Sequence, residues 1–276
     1  AWCGILFPNW KYKSLDMTEI GRRLEANEPL EVGAVVESFD GGIVIDDGFA
    51  TAVPGLFAAG ECTLGLFGAN RVFSAITEML VQGADAGRNA AEYARSAEVP
   101  APDPDSLAEK QHKAERPLER SGGLRPAPVR RKIQEMAQTH LGPIRTEGEL
   151  QSLLAEIQRV KREELPLLSP AAAGRSYNKE WVDALELENI AALLELAASS
   201  ALQRTESRGV HYRADHPVTN NDEWLVESLV RKTDDGFALA TRPVSTTSIT
   251  PPAGTTPYLD MVKGMMERHS EIGGHH

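Results

Sequence analysis

A chain of 276 residues is long enough to bury a sizeable core and to form more than one domain. Its hydrophobic content of 41% and charged content of 25% are ordinary for a globular protein, and a formal net charge of −11, with the basic residues spread along helix-like stretches, argues against nucleic acid as a partner. No run approaches the roughly 20 apolar residues that span a bilayer, and Cys3 and Cys62 set up neither a disulfide framework nor metal-ligand spacing, so a reducing, cytoplasmic setting is expected.

The first residues, Ala1 to Pro8, include neither an initiator Met nor a charged leader, as expected of a chain cut from a longer one or processed. Residues 1–95 are rich in Gly, Val, Ile and Ala and read as an α/β region. Val35-Val36 and Gly42-Ile43-Val44-Ile45-Asp46 read as short strands around Gly41-Gly42. Leu56-Phe57-Ala58-Ala59 reads as a buried strand too short to alternate, and a helix is expected from Ser74 to Arg95. Residues 96–128 change character: Pro100, Pro102, Pro104, Pro117, Pro126 and Pro128 punctuate a charged, Pro-rich connection, with room for one short helix between Asp105 and Glu115.

Residues 129–213 read as an α-helical three-helix bundle. Val129, Ile133, Met136 and Ala137 make one apolar stripe, and Leu150, Leu153, Leu154, Ile157 and Val160 a second at i, i+3, i+4, i+7 and i+10. Trp181, Val182, Leu185, Ile190, Leu193, Leu194, Ala197 and Ala201 make a third, on a helix from Lys179 to Arg204. Breaks at Gly142-Pro143 and Ser169-Pro170 make the helices antiparallel neighbours. The tail, residues 214–276, reads as irregular, with a β-hairpin of Phe237–Thr241 against Val244–Ile249.

Chemistry concentrates in Val53-Pro54-Gly55-Leu56-Phe57-Ala58-Ala59-Gly60-Glu61-Cys62 and the following Gly68-Ala69-Asn70-Arg71. At Gly60 the missing Cβ lets backbone approach a ligand, and Glu61 offers a carboxylate to ligand hydroxyls; a turn carrying a solvated acid is the alternative. Ser74 sits where a helix cap would, and the amides of that helix start favour anionic charge. Ala75, Gly83, Ala84, Ala86, Gly87, Ala90 and Ala91 give the helix a small-residue surface suited to close packing against another backbone.

This ordered pattern resembles the second flavin-binding motif of the succinate dehydrogenase and fumarate reductase flavoprotein family. The resemblance extends over most of residues 29–258. It takes in Tyr177-Asn178, Glu188-Asn189, the run Glu206-Ser207-Arg208-Gly209-Val210-His211-Tyr212-Arg213, Asn221 to Leu225, and Pro251-Pro252 with Tyr258. It implies that residues 1–95 are the C-terminal piece of a glutathione-reductase-like FAD-binding domain and that FAD is the cofactor. Glu61, beside Gly60, would bond the ribityl chain, and the amides of Ser74, Ala75 and Ile76 would face the isoalloxazine, stabilising reduced flavin. Arg71 would clamp a substrate carboxylate bidentately, or else form a structural salt bridge. Partners implied are an N-terminal FAD-binding and capping half, an iron–sulfur protein and, through it, quinone-linked membrane subunits. The implied reaction is hydride transfer between flavin N5 and a carboxylate-activated C–C bond.

The pattern departs from the family in three places. Glu37 stands where the family's His-x-Thr-x-Gly-Gly segment has its substrate-binding His, and Phe39 where it has Thr, which puts a dianionic substrate in doubt. The stretch from Arg71 to Ser74 is one residue short, and Phe73 there is either a core anchor or a reshaped pocket wall. No GxGxxG turn for the pyrophosphate occurs anywhere in the chain. An adenylylsulfate reductase-like or other non-dicarboxylate substrate, and a non-catalytic docking subunit, therefore stay open. His211 is expected to hydrogen-bond structurally, contact with a partner or the active-site rim being the alternative, and Arg208 and Arg213 are expected to order that loop.

Overall fold

The computed structural model describes residues 18–29, 41–63, 75–98, 101–234, 236–246 and 250–264. The chain divides into two compact units, residues 1–39 and 40–276. In the first, helix α1 (Thr18–Glu25) is laced by Glu19, which accepts from Arg22 and Arg23 one turn on. Val35-Val36 lies outside the described residues.

The second unit opens with a finger, residues 49–58, folded back on itself. Its tip is a type II turn: Leu56 N–H bonds the Val53 carbonyl at 3.0 Å, with Pro54 and then Gly55 at φ +80 in the central positions. Single bridges, Ala50 with Phe57 and Ile43 with Thr63, replace the strands expected over Gly42–Asp46 and Leu56–Ala59. The reason is local. Asp46 Oδ1 accepts from the Gly48 and Ala50 amides, both at 2.9 Å, and curls the chain away from extended pairing. Leu56 is correspondingly half exposed, not buried.

Helix α2 (Ala75–Ser96) carries this region. Phe57 packs edge-on to Tyr93 at 5.9 Å between ring centroids, and Asn89 Nδ2 donates to the Gly48 carbonyl at 3.0 Å, so the finger lies along the C-terminal half of α2. The connection beyond holds a longer helix than expected, α3 (Pro104–Glu119). Asp103 caps it by accepting from the Asp105 and Ser106 amides, and Pro104 occupies its first turn.

Helices α4 (Pro126–His140), α5 (Glu147–Glu163) and α6 (Lys179–Gln203) form the bundle. Val129, Ile133 and Met136 of α4 meet Leu153, Ile157 and Val160 of α5 and Ala184, Leu187, Ala191 and Ala198 of α6 in one apolar cluster. Thr146 caps α5 and Asn178 caps α6, each accepting the backbone N–H three residues on. The two predicted stripes on α4 and α5 are the buried ones. The α6 stripe is buried only in part: Ala201 is buried and Ile190 and Leu194 pack against the cluster, but Val182 and Leu193 are exposed, and the buried line runs through Ala184, Leu187, Ala191, Glu195 and Ala198. Leu and Ala surround this helix, so its apolar residues do not single out a face. Partners decide instead, because Glu195 turns inward to pair with Lys161 and Gln158 of α5.

Short ladders tie the tail down. β1 (Ile144–Arg145) pairs in parallel with β2 (Tyr212–Arg213), and β3 (Val218–Asn220) leads into the one-turn helix α7 (Asn221–Trp224). The hairpin is formed by β4 (Val226–Thr233) and β5 (Gly236–Pro243), in register from Val226 opposite Pro243 to Thr233 opposite Gly236. The expected partner, Val244–Ile249, is thus corrected to the segment preceding β5. A two-residue connection closing at Gly236, φ +134, permits the tighter pairing. β6 (Thr255–Pro257) closes antiparallel on β3.

Candidate functional site

Gly60 is where three pieces of backbone and one helix converge. It is buried at φ +77, a conformation that favours glycine, and a Cβ there would stand 3.0 Å from Met79 Cγ. Its N–H donates to Gln82 Oε1 at 2.7 Å. Its carbonyl accepts from Thr63 Oγ1 at 2.7 Å and from the Thr63 amide at 3.0 Å. Gln82 Nε2 in turn donates to Glu78 Oε1 at 3.1 Å. Gly42 completes the clasp: a Cβ there would come within 2.4 Å of the Cys62 carbonyl oxygen, which accepts from the Ile43 amide at 2.8 Å. Residues 60–62 form a single 3-10 turn against the first two turns of α2, with Glu61 and Cys62 exposed on its outer side.

The helix behind this turn has an inverted face. Glu78, Gln82 and Ala86, one turn apart, are its buried residues, while Ile76 is 68% and Leu80 69% exposed. Gly83 and Gly87 on the same outer side meet nothing within 4 Å of an added Cβ. The close packing expected of these glycines is therefore not made among the described residues.

Of the sequence-predicted site residues, Gly60, Glu61 and Ile76 are described, and so is the backbone of Ala75, the first residue of α2. The 60–62 turn packs on this helix through Gly60 against Met79 and Gln82. Glu37, Arg71 and Ser74 lie outside the described residues. Sequence reasoning missed Thr63, Glu78 and Gln82. No local signal set Glu78 and Gln82 apart from the other polar residues of this helix.

A second polar centre lies where α6 ends. Arg213 is 1% exposed; its guanidinium grips Asp215 bidentately at 2.7 and 2.8 Å and donates to the Ala201, Leu202 and Arg204 carbonyls, neutralising the C-terminal pole of α6. Those bonds from Arg213 hold the Asp215 carboxyl far below the usual carboxylate range, and Asp215 also accepts from the Glu147 amide at the start of α5. Glu206, equally buried, accepts from Arg204, from Arg208 and from the Asn220 amide. His211 Nδ1 lies 2.9 Å from Arg145 Nη1, which can only donate, so the imidazole is neutral with its hydrogen on Nε2 toward the Arg204 carbonyl. Burial, then the Arg145 charge, pushes the His211 pKa down to about 4. Every one of these groups is spent on joining α5, α6 and the tail, which gives the segment 206–213 a structural role.

Comparison with known proteins follows the same division. The family "fumarate reductase flavoprotein C-term" matches residues 130–257, the bundle and the tail. One subunit of the fumarate reductase (CoM/CoB) of Methanothermobacter marburgensis is 36% identical over 207 residues, covering 75% of this chain and 37% of that protein. The fumarate reductase flavoprotein subunit of Mycobacterium tuberculosis is 35% identical over 218 residues, covering 76% and 37%. Among solved structures, the Mycobacterium smegmatis Sdh1 complex in its apo form superposes with TM-score 0.73 at 29% identity, covering 88% of this chain and 43% of that one. E. coli quinol fumarate reductase gives 0.71 at 27%, covering 76% and 37%. The chain thus spans well under half the length of these relatives. With a clasped Gly60-Glu61 turn on a small-residue helix and a matching helical domain after it, the chain belongs to the succinate dehydrogenase and fumarate reductase flavoprotein family, whose flavoprotein subunits carry FAD.

Proposed function

We propose that this chain is the C-terminal part of an FAD-dependent oxidoreductase that moves a hydride to or from a C–C bond next to a carboxylate, with electrons passing to an iron–sulfur partner. The observation that carries this reading is the Gly60-Glu61 turn, clasped to the first two turns of α2 with Glu61 exposed. Those residues suit one part of FAD. Glu61 would accept from ribityl hydroxyls, and the amides of Ser74, Ala75 and Ile76 would face the pyrimidine edge, where negative charge develops on reduction. Arg71 would orient the substrate carboxylate. FAD itself would supply the hydride acceptor at N5.

The pyrophosphate calls for a Gly-rich turn that this sequence lacks, so an upstream FAD-binding and capping half is part of the proposal. The exposed Ile76, Leu80, Gly83 and Gly87 surface of α2 suits the backbone of that half. In this reading residues 1–95 complete the FAD-binding domain, 96–128 connect, 129–213 form the helical domain and 214–276 the tail. Co-expression with an upstream FAD-binding half tests it. Bound flavin that succinate bleaches and fumarate recolours is expected, and failure to retain any flavin ends the proposal.

Glu37, in place of the family's substrate His, favours a second reading in which the substrate is not a dicarboxylate, adenylyl sulfate being one case. Flavin retained without succinate or fumarate turnover selects it. If an iron–sulfur protein is captured while every substrate fails, a docking role is indicated instead.

A further inference from the structure

We infer that Gln82 is a positioning residue for the flavin: its side-chain amide sets the Gly60-Glu61 turn and thereby aims the Glu61 carboxylate. The inference rests on the flavin reading above and adds a residue that the motif did not include. Gln82 is 3% exposed, twenty-two residues from Gly60 in sequence, and both ends of its amide are engaged. The oxygen accepts from Gly60 N–H at 2.7 Å, and the nitrogen donates to Glu78 Oε1 at 3.1 Å. Glu78 can only accept when ionised, so it orients the amide and keeps the oxygen toward Gly60.

The geometry makes this more than a packing contact. Gly60 sits at φ +77, where rotation about its backbone would swing the next side chain, and the peptide on either side of it is held. Gln82 fixes the preceding N–H, and Thr63 fixes the following carbonyl. Glu61, the next residue, is exposed and leaves this held peptide directly, so the backbone from which its side chain departs is fixed. An apolar side chain at position 82 would leave the buried Gly60 amide without its acceptor, and the turn would move to find water.

A double-mutant cycle on the FAD-loaded holoenzyme tests the inference, with FAD dissociation, the flavin midpoint potential and thermal stability measured on each variant. Glu61→Ala is expected to weaken FAD about tenfold, as loss of a charge-assisted hydrogen bond does. Gln82→Met is expected to weaken FAD by a similar factor. The double variant should be weakened about tenfold rather than about a hundredfold, because both changes remove the same contact. Multiplying effects, or a Gln82→Met variant that melts earlier yet holds FAD and its potential unchanged, would overturn the inference. If Gln82→Met does not fold, the exchange Gln82→Glu with Glu78→Gln decides. It keeps an oxygen for the Gly60 amide and one N–H donor between positions 78 and 82, so FAD affinity within about threefold of wild type is required, and a loss as large as that of Glu61→Ala refutes it. Should wild type bind FAD but Glu61→Ala have no effect, the assignment of Glu61 fails with it. Should wild type bind no FAD, the flavin reading itself is wrong.

Discussion

The neutral imidazole of His211 ties the stability of the α5–α6–tail junction to pH. Arg145 donates to Nδ1, so a proton added there would set N–H against a guanidinium inside a partly buried site. The His211 pKa falls from an ordinary 6.5 to about 4 on folding. A lowered histidine pKa means that the unfolded chain takes up the proton first. The stabilisation is therefore complete above about pH 6.5, declines as pH falls toward about 4, and is flat below. At about 1.4 kcal/mol per pH unit the ceiling is roughly 3.4 kcal/mol, and the solvent that still reaches the ring reduces this to about 2. The assay is urea unfolding of wild type and His211→Asn from about pH 7.5 to about pH 4.5. Asn keeps an acceptor for Arg145 but does not titrate. The free-energy advantage of wild type should shrink by about 2 kcal/mol across that window. Parallel curves would refute the argument, since all other titrating groups are common to both proteins.

Arg213→Met should destabilise the protein by about 3–5 kcal/mol, because it strips a buried cation from Asp215 and from three helix-terminal carbonyls; a fall in melting temperature of only a degree or two would contradict this. Leu187→Ala, at a site with no exposure in the bundle core, should cost about 3 kcal/mol in denaturant unfolding without changing the fold by circular dichroism. Thr146→Ala should cost about 1 kcal/mol by removing the cap on α5, whereas Thr146→Ser should restore it, read by the same titration.

The sequence by itself determined the elements whose signals are local. Val129 to Met136 and Leu150 to Val160 place apolar residues at helical spacing amid polar ones, so only one face can be buried, and that face is buried. Gly60-Glu61 was legible for the same kind of reason, since glycine before an exposed acid already implies backbone that must bend or be approached. The hairpin was misplaced from sequence, with Val244–Ile249 expected as the partner of the segment that instead pairs with β4. Tertiary structure decided the rest. Leu and Ala surround α6, so its buried line followed from where Lys161 and Gln158 await Glu195, two side chains thirty-odd residues away in sequence. Gln82 is one polar helix residue among several until Gly60 is folded against it, and Arg213 is an ordinary loop cation until α6 ends beneath it. Hydrogen-bond partners far apart in sequence leave no periodic trace along the chain. They exist only once folding has removed the water that would otherwise satisfy them.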